Sequence, residues 1–220
     1  MTARTTFDLE LKELNLEIIK MGTMIEEAIE NSIIAFKEQD SLLAERVIEN
    51  DCDVDDIEKE IEARCLKLIL RQQPVAKDLR IISTAQKIIT DMERIGDNAE
   101  DIARISITIK GEHIFEMVHH IPQMAEITVK MVHDSIKAFV NRDMTLARKI
   151  IKTDDIVDEL FCKVKADISQ ILKEDKDEHN NTMEFLMIAK YLERIADHAV
   201  NICEWVEFSL TGEHKNKKIL

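Results

Sequence analysis

Isoleucine returns every seven residues at Ile81, Ile88, Ile95, Ile102 and Ile109. The flanking positions Ile82, Ile89, Gly96 and Ala103, with Ala85, Met92 and Ala99, widen that seam to a three-position apolar face. A face of this period and width is what a helix needs to pack antiparallel in a bundle. The same register recurs in Ile188, Ile195 and Ile202, then Ala189, Ala196 and Cys203, then Leu192, Ala199 and Val206. Followed along the chain, the pattern predicts six long helices over 5–38, 42–71, 75–110, 115–141, 144–174 and 180–210. The breaks fall at Gln39-Asp40-Ser41, Gln73-Pro74, Lys110-Gly111, Asn141-Arg142-Asp143 and the polar stretch 174–181. Pro74 suits the first turn of a helix, where its missing N–H costs nothing. Pro122 either starts the fourth helix late or kinks it near its beginning.

The second half repeats the first. Phe36, Asp40, Leu43, Ala44, Val47, Ile48, Asp51 and Asp55 align with Phe139, Asp143, Leu146, Ala147, Ile150, Ile151, Asp154 and Asp158. Gly-Glu-His closes both halves, at 111–113 and 212–214. The chain reads as all-α: two tandem three-helix bundles, residues 1–111 and 112–220, related by an internal repeat.

Composition agrees. Four Gly, two Pro and 4% aromatic residues in 220 leave little material for turns or strands. A formal charge of −14 argues against direct nucleic-acid binding and against docking on anionic lipid, and it suits cations or a basic partner. No apolar run approaches the roughly 20 residues of a membrane span, and the first residues lack the apolar stretch of a secretory signal. A cytoplasmic protein without direct membrane insertion is the expectation. Cys52, Cys65, Cys162 and Cys203 show no C-x-x-C pairing and are expected as buried, reduced thiols.

The repeated helices carry the candidate chemistry. Glu93-Arg-Ile-Gly-Asp97 recurs as Glu193-Arg-Ile-Ala-Asp197, which sets two carboxylates four apart on one side of each helix. With Ile95 at zero on a helical wheel, Glu93 and Asp97 fall near 160° and 200°, beside the apolar seam. Di-iron bundle enzymes instead aim their Glu and Glu-x-x-His ligands into the core, and no Glu-x-x-His occurs on either repeated helix, so that class is disfavoured. Asp51 and Asp55, with Glu58 and Glu62, form a stripe on the second helix; Asp154 and Asp158 begin the matching stripe on the fifth, where Phe161 and Lys165 follow. Counting from the hairpin turns places Asp51 and Asp55 level with Glu93 and Asp97, and Asp158 level with Asp197. Asp101 extends the first stripe where the second has Asn201.

Each half thus gathers about four carboxylates, which repel unless cations, Arg or Lys neutralise them. Two readings stand: an all-oxygen site for Mg, Mn, Ca or oxygen-liganded Fe or Zn, or a solvated face of salt bridges to Arg94, Arg194 and nearby lysines. His119-His120 splays on a helix and reads as surface. His198 could edge the second patch, and the ten Met fill the bundle. No Gly-rich phosphate loop, G-x-S-x-G or Ser/His/Asp arrangement is present.

Arg71-Gln-Gln-Pro-Val-Ala-Lys-Asp-Leu-Arg80, followed by Asp91-Met-Glu-Arg-Ile-Gly-Asp97, resembles the signature of the PhoU family of phosphate-transport accessory regulators. The Tyr191-Leu-Glu-Arg-Ile-Ala-Asp-His198 copy looks like that family's second half, although it lacks the Pro-x-Ala-x-Asp-Leu-Arg entry. The resemblance implies a non-enzymatic, often dimeric, cytoplasmic negative regulator. Such a protein would be an adaptor between the ATPase subunit of the phosphate ABC transporter and the phosphate-sensing histidine kinase. It also implies metal capacity on Glu93, Asp97, Glu193 and Asp197, to which geometry adds Asp51, Asp55, Asp154 and Asp158. The rival functions are a regulatory bundle for a sodium-phosphate cotransporter, a metal-dependent phosphohydrolase and a plain structural bundle.

Overall fold

The computed structural model describes residues 3–72, 74–109, 119–174, 181–214 and 217–218. The first Gly-Glu-His, at 111–113, lies outside them. Among these residues six helices form: α1 (Ala3–Glu38), α2 (Ser41–Gln72), α3 (Ala76–Thr108), α4 (His120–Asn141), α5 (Met144–Glu174) and α6 (Thr182–Thr211). Among the described residues the only strands are two-residue segments, Glu213–His214 paired antiparallel with Lys217–Lys218. The fold is the all-α, doubled three-helix architecture that the heptads predict.

Helix ends follow local chemistry. At the α1–α2 junction Gln39 takes a left-handed φ of 52°, and Asp40 Oδ1 accepts bonds from the Leu42 and Leu43 amides, each 3.0 Å. At the α4–α5 junction Arg142 has φ 56°, and Asp143 Oδ1 accepts from the Leu146 amide at 2.9 Å. The aligned aspartates Asp40 and Asp143 are therefore helix caps. Gly212, at φ 81°, closes α6 with its amide on the Phe208 carbonyl. Pro74 sits one residue outside the α3 cap, Val75, whose ψ of 163° is still extended. Pro122 falls in the first turn of α4, so that helix starts late and needs no kink.

Helices α1–α3 pack on one another, as do α4–α6, and the two sets join through α3 against α6 and α1 against α4. Lys87 lies by Trp205, Asp91 bonds Asn201, and Asp101 bonds Tyr191, so α3 and α6 run antiparallel. One apolar core runs through both halves, from Leu14, Ile18 and Ile25 through Ile88, Ile95 and Ile102 to Ile188, Ile195 and Ile202. Each such isoleucine contributes about 1.5–3 kcal/mol relative to leaving it in water.

Two expectations change. Cys65 and Cys203 are buried, and burial pushes the Cys65 thiol up to about 12, but Cys52 and Cys162 are exposed. They lie on the solvent sides of α2 and α5, where no neighbouring helix covers them. The seam on α3 is also wider than the heptads indicate, because Thr84 and Asn98 are buried as well, while Ser106 continues the row of Ala85, Met92 and Ala99. Asn98 satisfies its amide on the Arg94 carbonyl, and Ser106 bonds the Ala103 carbonyl.

Candidate metal centre

On α2, Asp51, Asp55 and Glu58 share a half-buried edge beside the buried Val54, Ile57 and Ile61. On α3, Glu93, Asp97 and Glu100 are partly exposed between the buried Met92, Gly96, Ala99 and Ala103. The α2–α3 hairpin brings these edges together. Gly96 makes the closest approach possible: a Cβ there would stand 3.3 Å from Asp51 Oδ1 and 3.3 Å from Val54 Cγ1. Asp51 thus lies over the α3 backbone, and Glu100, Asp97 and Asp55 are the charges that bear on it most.

The chemistry of the patch is that of crowded acids. Burial first, then Glu100, Asp97 and Asp55, push the Asp51 carboxyl from 3.8 up to about 6, with Arg104 opposing. Burial and Asp97 raise the Glu93 carboxyl against Arg94, and burial and Glu62 raise Glu58 against its hydrogen bond from Thr90. Glu93 Oε2 is buried with no hydrogen bond, although Arg94 Nε lies 3.3 Å away. Arg94 Nη1 reaches Asp97 Oδ2 at 2.9 Å from the exposed flank.

The second patch has the same plan with different occupants. Burial, then Asp197, Asp158, Asp155 and Glu193, push the Asp154 carboxyl up to about 6. Asp197 is raised by burial and Glu193, with Lys190 and His198 opposing. Lys190 Nζ sits 2.5 Å from Glu193 Oε2. Where α2 has Glu58 and Glu62, α5 presents Phe161 with the Lys165 ammonium 4.6 Å from its ring.

Of the positions expected from the sequence, Asp51, Asp55, Glu93 and Asp97 come together in one patch, and Asp154, Asp158, Glu193 and Asp197 in the other. Asp101 does not extend the first stripe. One turn beyond Asp97 it has rotated onto the α6 side, where the Tyr191 hydroxyl donates to it. His198 stands at the edge of the second patch, where it acts on Asp197, and reaches to α3 with its Nδ1 2.9 Å from Asp91 Oδ1, while Asn201 Nδ2 donates to the same oxygen at 3.3 Å. His120 pairs with Asp167 at 2.6 Å and is partly exposed. Glu100, the strongest charge on Asp51, is the residue that sequence reasoning passed over. Its place seven residues after Glu93 was the available signal.

Among the described residues no three His, Cys, Asp or Glu donors converge at metal-ligating distance. The donors line a ridge between two helices. What fits a hard cation is the all-oxygen set, the unbonded Glu93 oxygen and the bare Gly96 backbone under Asp51.

The PhoU domain family matches this chain twice, over residues 18–106 and 121–206. The chain is 40% identical over 211 residues to the phosphate-specific transport system accessory protein PhoU homolog of Clostridium acetobutylicum, covering 96% of each. Its fold is similar to the crystal structure of PhoU from Pseudomonas aeruginosa, with TM-score 0.86 and 30% identity over 94% of this chain and 100% of that one. The phosphate transport system regulatory protein PhoU from Streptococcus pneumoniae gives TM-score 0.88 at 28% identity, covering 94% and 98%.

Proposed function

The chain belongs to the PhoU family, and from that premise we propose that it is the accessory regulator of a phosphate-specific transport system. In this reading it is a cytoplasmic, non-enzymatic adaptor. It contacts the transporter's ATPase subunit and the phosphate-sensing histidine kinase, restraining uptake and the starvation response when phosphate is plentiful. The observation that carries the reading is the doubled PhoU domain, over residues 18–106 and 121–206, together with the match to 96% of the Clostridium relative, a protein named for accessory work in phosphate transport.

Partner contact needs surface, and the α2–α3 hairpin offers some. Leu70 is 80% exposed and Val75 66%, flanked by the exposed Leu66. A homodimer is part of the proposal, as the resemblance implies. The cotransporter reading would place such a bundle behind membrane spans; no described helix is long and apolar enough to cross a membrane. No observation favours a phosphohydrolase over the adaptor.

The metal reading belongs here as well. Glu93, Asp97, Asp51 and Asp55 would hold Mg, Mn, Zn or Fe through oxygen, and the cation would neutralise the patch and stiffen α2 against α3. It would supply charge rather than chemistry. Every other part of the function rests on the helices and their surfaces.

The test is co-purification of the tagged native chain with the ATPase subunit and the kinase at high and low phosphate, beside a starvation reporter in a deletion strain. The expected outcome is derepression on deletion, retention of at least one partner at high phosphate, and loss of retention in a Leu70→Asp/Val75→Asp variant of native helicity. No retention under either condition and an unaltered reporter would sink the proposal.

A further inference from the structure

We infer that the tip of the α2–α3 hairpin docks an acidic face of a protein partner, a rim of carboxylates around an apolar socket. This rests on the adaptor reading above and gives the partner's side of that contact its chemistry.

Charge is unevenly placed along the chain. Residues 63–90, the last turns of α2 and the first of α3, hold six Lys or Arg and one acid, Asp78, in a chain with 30 bases and 44 acids. Two of the six are engaged within the fold. Arg64 Nη2 is 2.5 Å from Glu17 Oε1 on α1, with Nη1 3.4 Å from Glu10 Oε2, and Lys87 Nζ lies 5.9 Å from the centre of the Trp205 ring. Arg80 is partly buried. Lys67, Arg71 and Lys77 are exposed, and among the described residues none of the three pairs with a carboxylate. The chain as a whole would repel an acidic surface, but its hairpin tip attracts one.

Apolar side chains stand among these cations. Leu66 and Leu70, one turn apart on α2, are 49% and 80% exposed; Val75 and Leu79, one turn apart at the start of α3, are 66% and 36% exposed. The helical fold does not call for them. The repeat sets Ser169 and Lys173 on α5 where α2 has Leu66 and Leu70, and Gln170 and Glu174 where it has Lys67 and Arg71. Grouped exposed apolar chains edged by Arg and Lys have the composition of an interface core with a charged rim. Lys67 and Arg71 also line a groove against α1, with Ala63 and Leu68 beside them, where a partner's carboxylate side chain fits.

A protein face suits this tip better than a bilayer. Helix α1 runs antiparallel to α2, as the Arg64 pairs with Glu10 and Glu17 require, so Asp8 and Glu13 lie at the same end of the molecule. A plane of anionic headgroups would meet those acids together with the tip. A folded partner can present its acids to the tip alone, which is how charge selects one face over another.

The experiment measures binding of the purified ATPase subunit and of the purified kinase to the full native chain at low and high salt. Circular dichroism checks the helicity of every variant. At least one partner should bind, more weakly as salt rises. Lys67→Glu/Arg71→Glu/Lys77→Glu should weaken that binding about tenfold or more and flatten its salt dependence, while Lys67→Arg/Lys77→Arg should keep it. Reversing three exposed lysines of α5, Lys149→Glu/Lys152→Glu/Lys163→Glu, should leave binding unchanged. Vesicles of mixed phosphatidylglycerol and phosphatidylcholine form the second arm. Vesicle binding that is lost in the tip variant while partner binding persists would assign the tip to a membrane and overturn the inference. Partner binding indifferent to salt and to the tip charges, or equally weakened by the α5 reversal, would also overturn it and leave the adaptor reading standing. Failure of both partners to bind the native chain would overturn both.

Discussion

Asp51 and Asp154 show how a residue's position along a helix becomes a property of the molecule. Each lies on the edge of a buried face, and burial joined to neighbouring carboxylates lifts each carboxyl from 3.8 to about 6. Because the folded value exceeds the unfolded one, the native state takes up protons between about pH 4 and 6. The stabilisation is complete below that window and is lost as pH rises through 6. In chelator, Asp51→Asn should therefore raise Tm by roughly 1–3 °C at pH 7.5 and by about half as much at pH 5. Calorimetry of variant and native chain at both pH values checks this; equal differences at the two would show that Asp51 bears no ionisation cost. The spacing of Glu93 and Asp97 made them legible as a pair, since four residues on a helix fix a shared side. Asp101 was misplaced because which helix covers a shoulder position is not written in the spacing.

At the scale of the element, the helices were legible almost to their ends. The turns at 39–40 and 142–143 were found from polar breaks, but their geometry was not. Gln39 and Arg142 occupy left-handed φ, where a side chain costs about 1 kcal/mol relative to glycine. Arg142→Gly should raise the stability of the chain by about 1 kcal/mol, seen as a higher denaturant midpoint with unchanged slope. No gain would mean that the arginine side chain compensates the strain. Gly22 makes a different use of glycine, since a Cβ there would stand 2.6 Å from Ile136 Cδ1 where α1 crosses α4. Gly22→Val should overpack that crossing by about 1–3 kcal/mol, and Ile136→Ala in the same chain should recover part of the loss on urea unfolding.

For the whole molecule, the repeat defines two units that share one core. The core is continuous across them, and α3 and α6 meet through partly buried polar groups: Asp91 with His198 and Asn201, and Tyr191 with Asp101. The pairs exchange under the repeat, since Asp91 aligns with Tyr191 and Asp101 with Asn201. Asp91→Ala would strand His198 and Asn201 and cost about 1–3 kcal/mol, without splitting the transition. Calorimetry should show one cooperative unfolding event in both chains; two separated transitions would mean that the halves are independent domains.

The sequence by itself determined the helices, their doubling and the pairing of carboxylates within each half, because these depend on a period of 3.6 residues and on hairpins of equal arms. Only the tertiary structure decided which shoulder of α3 faces α6, and that Asp101 and His198 serve this contact while Glu100 serves the patch. It also decided that Lys190 lies among the acids of the second patch. Spacing along one helix fixes a direction around its axis. What stands in that direction depends on how far the neighbouring helices rotate and approach, and at Gly96 that approach is set by the absence of a single carbon.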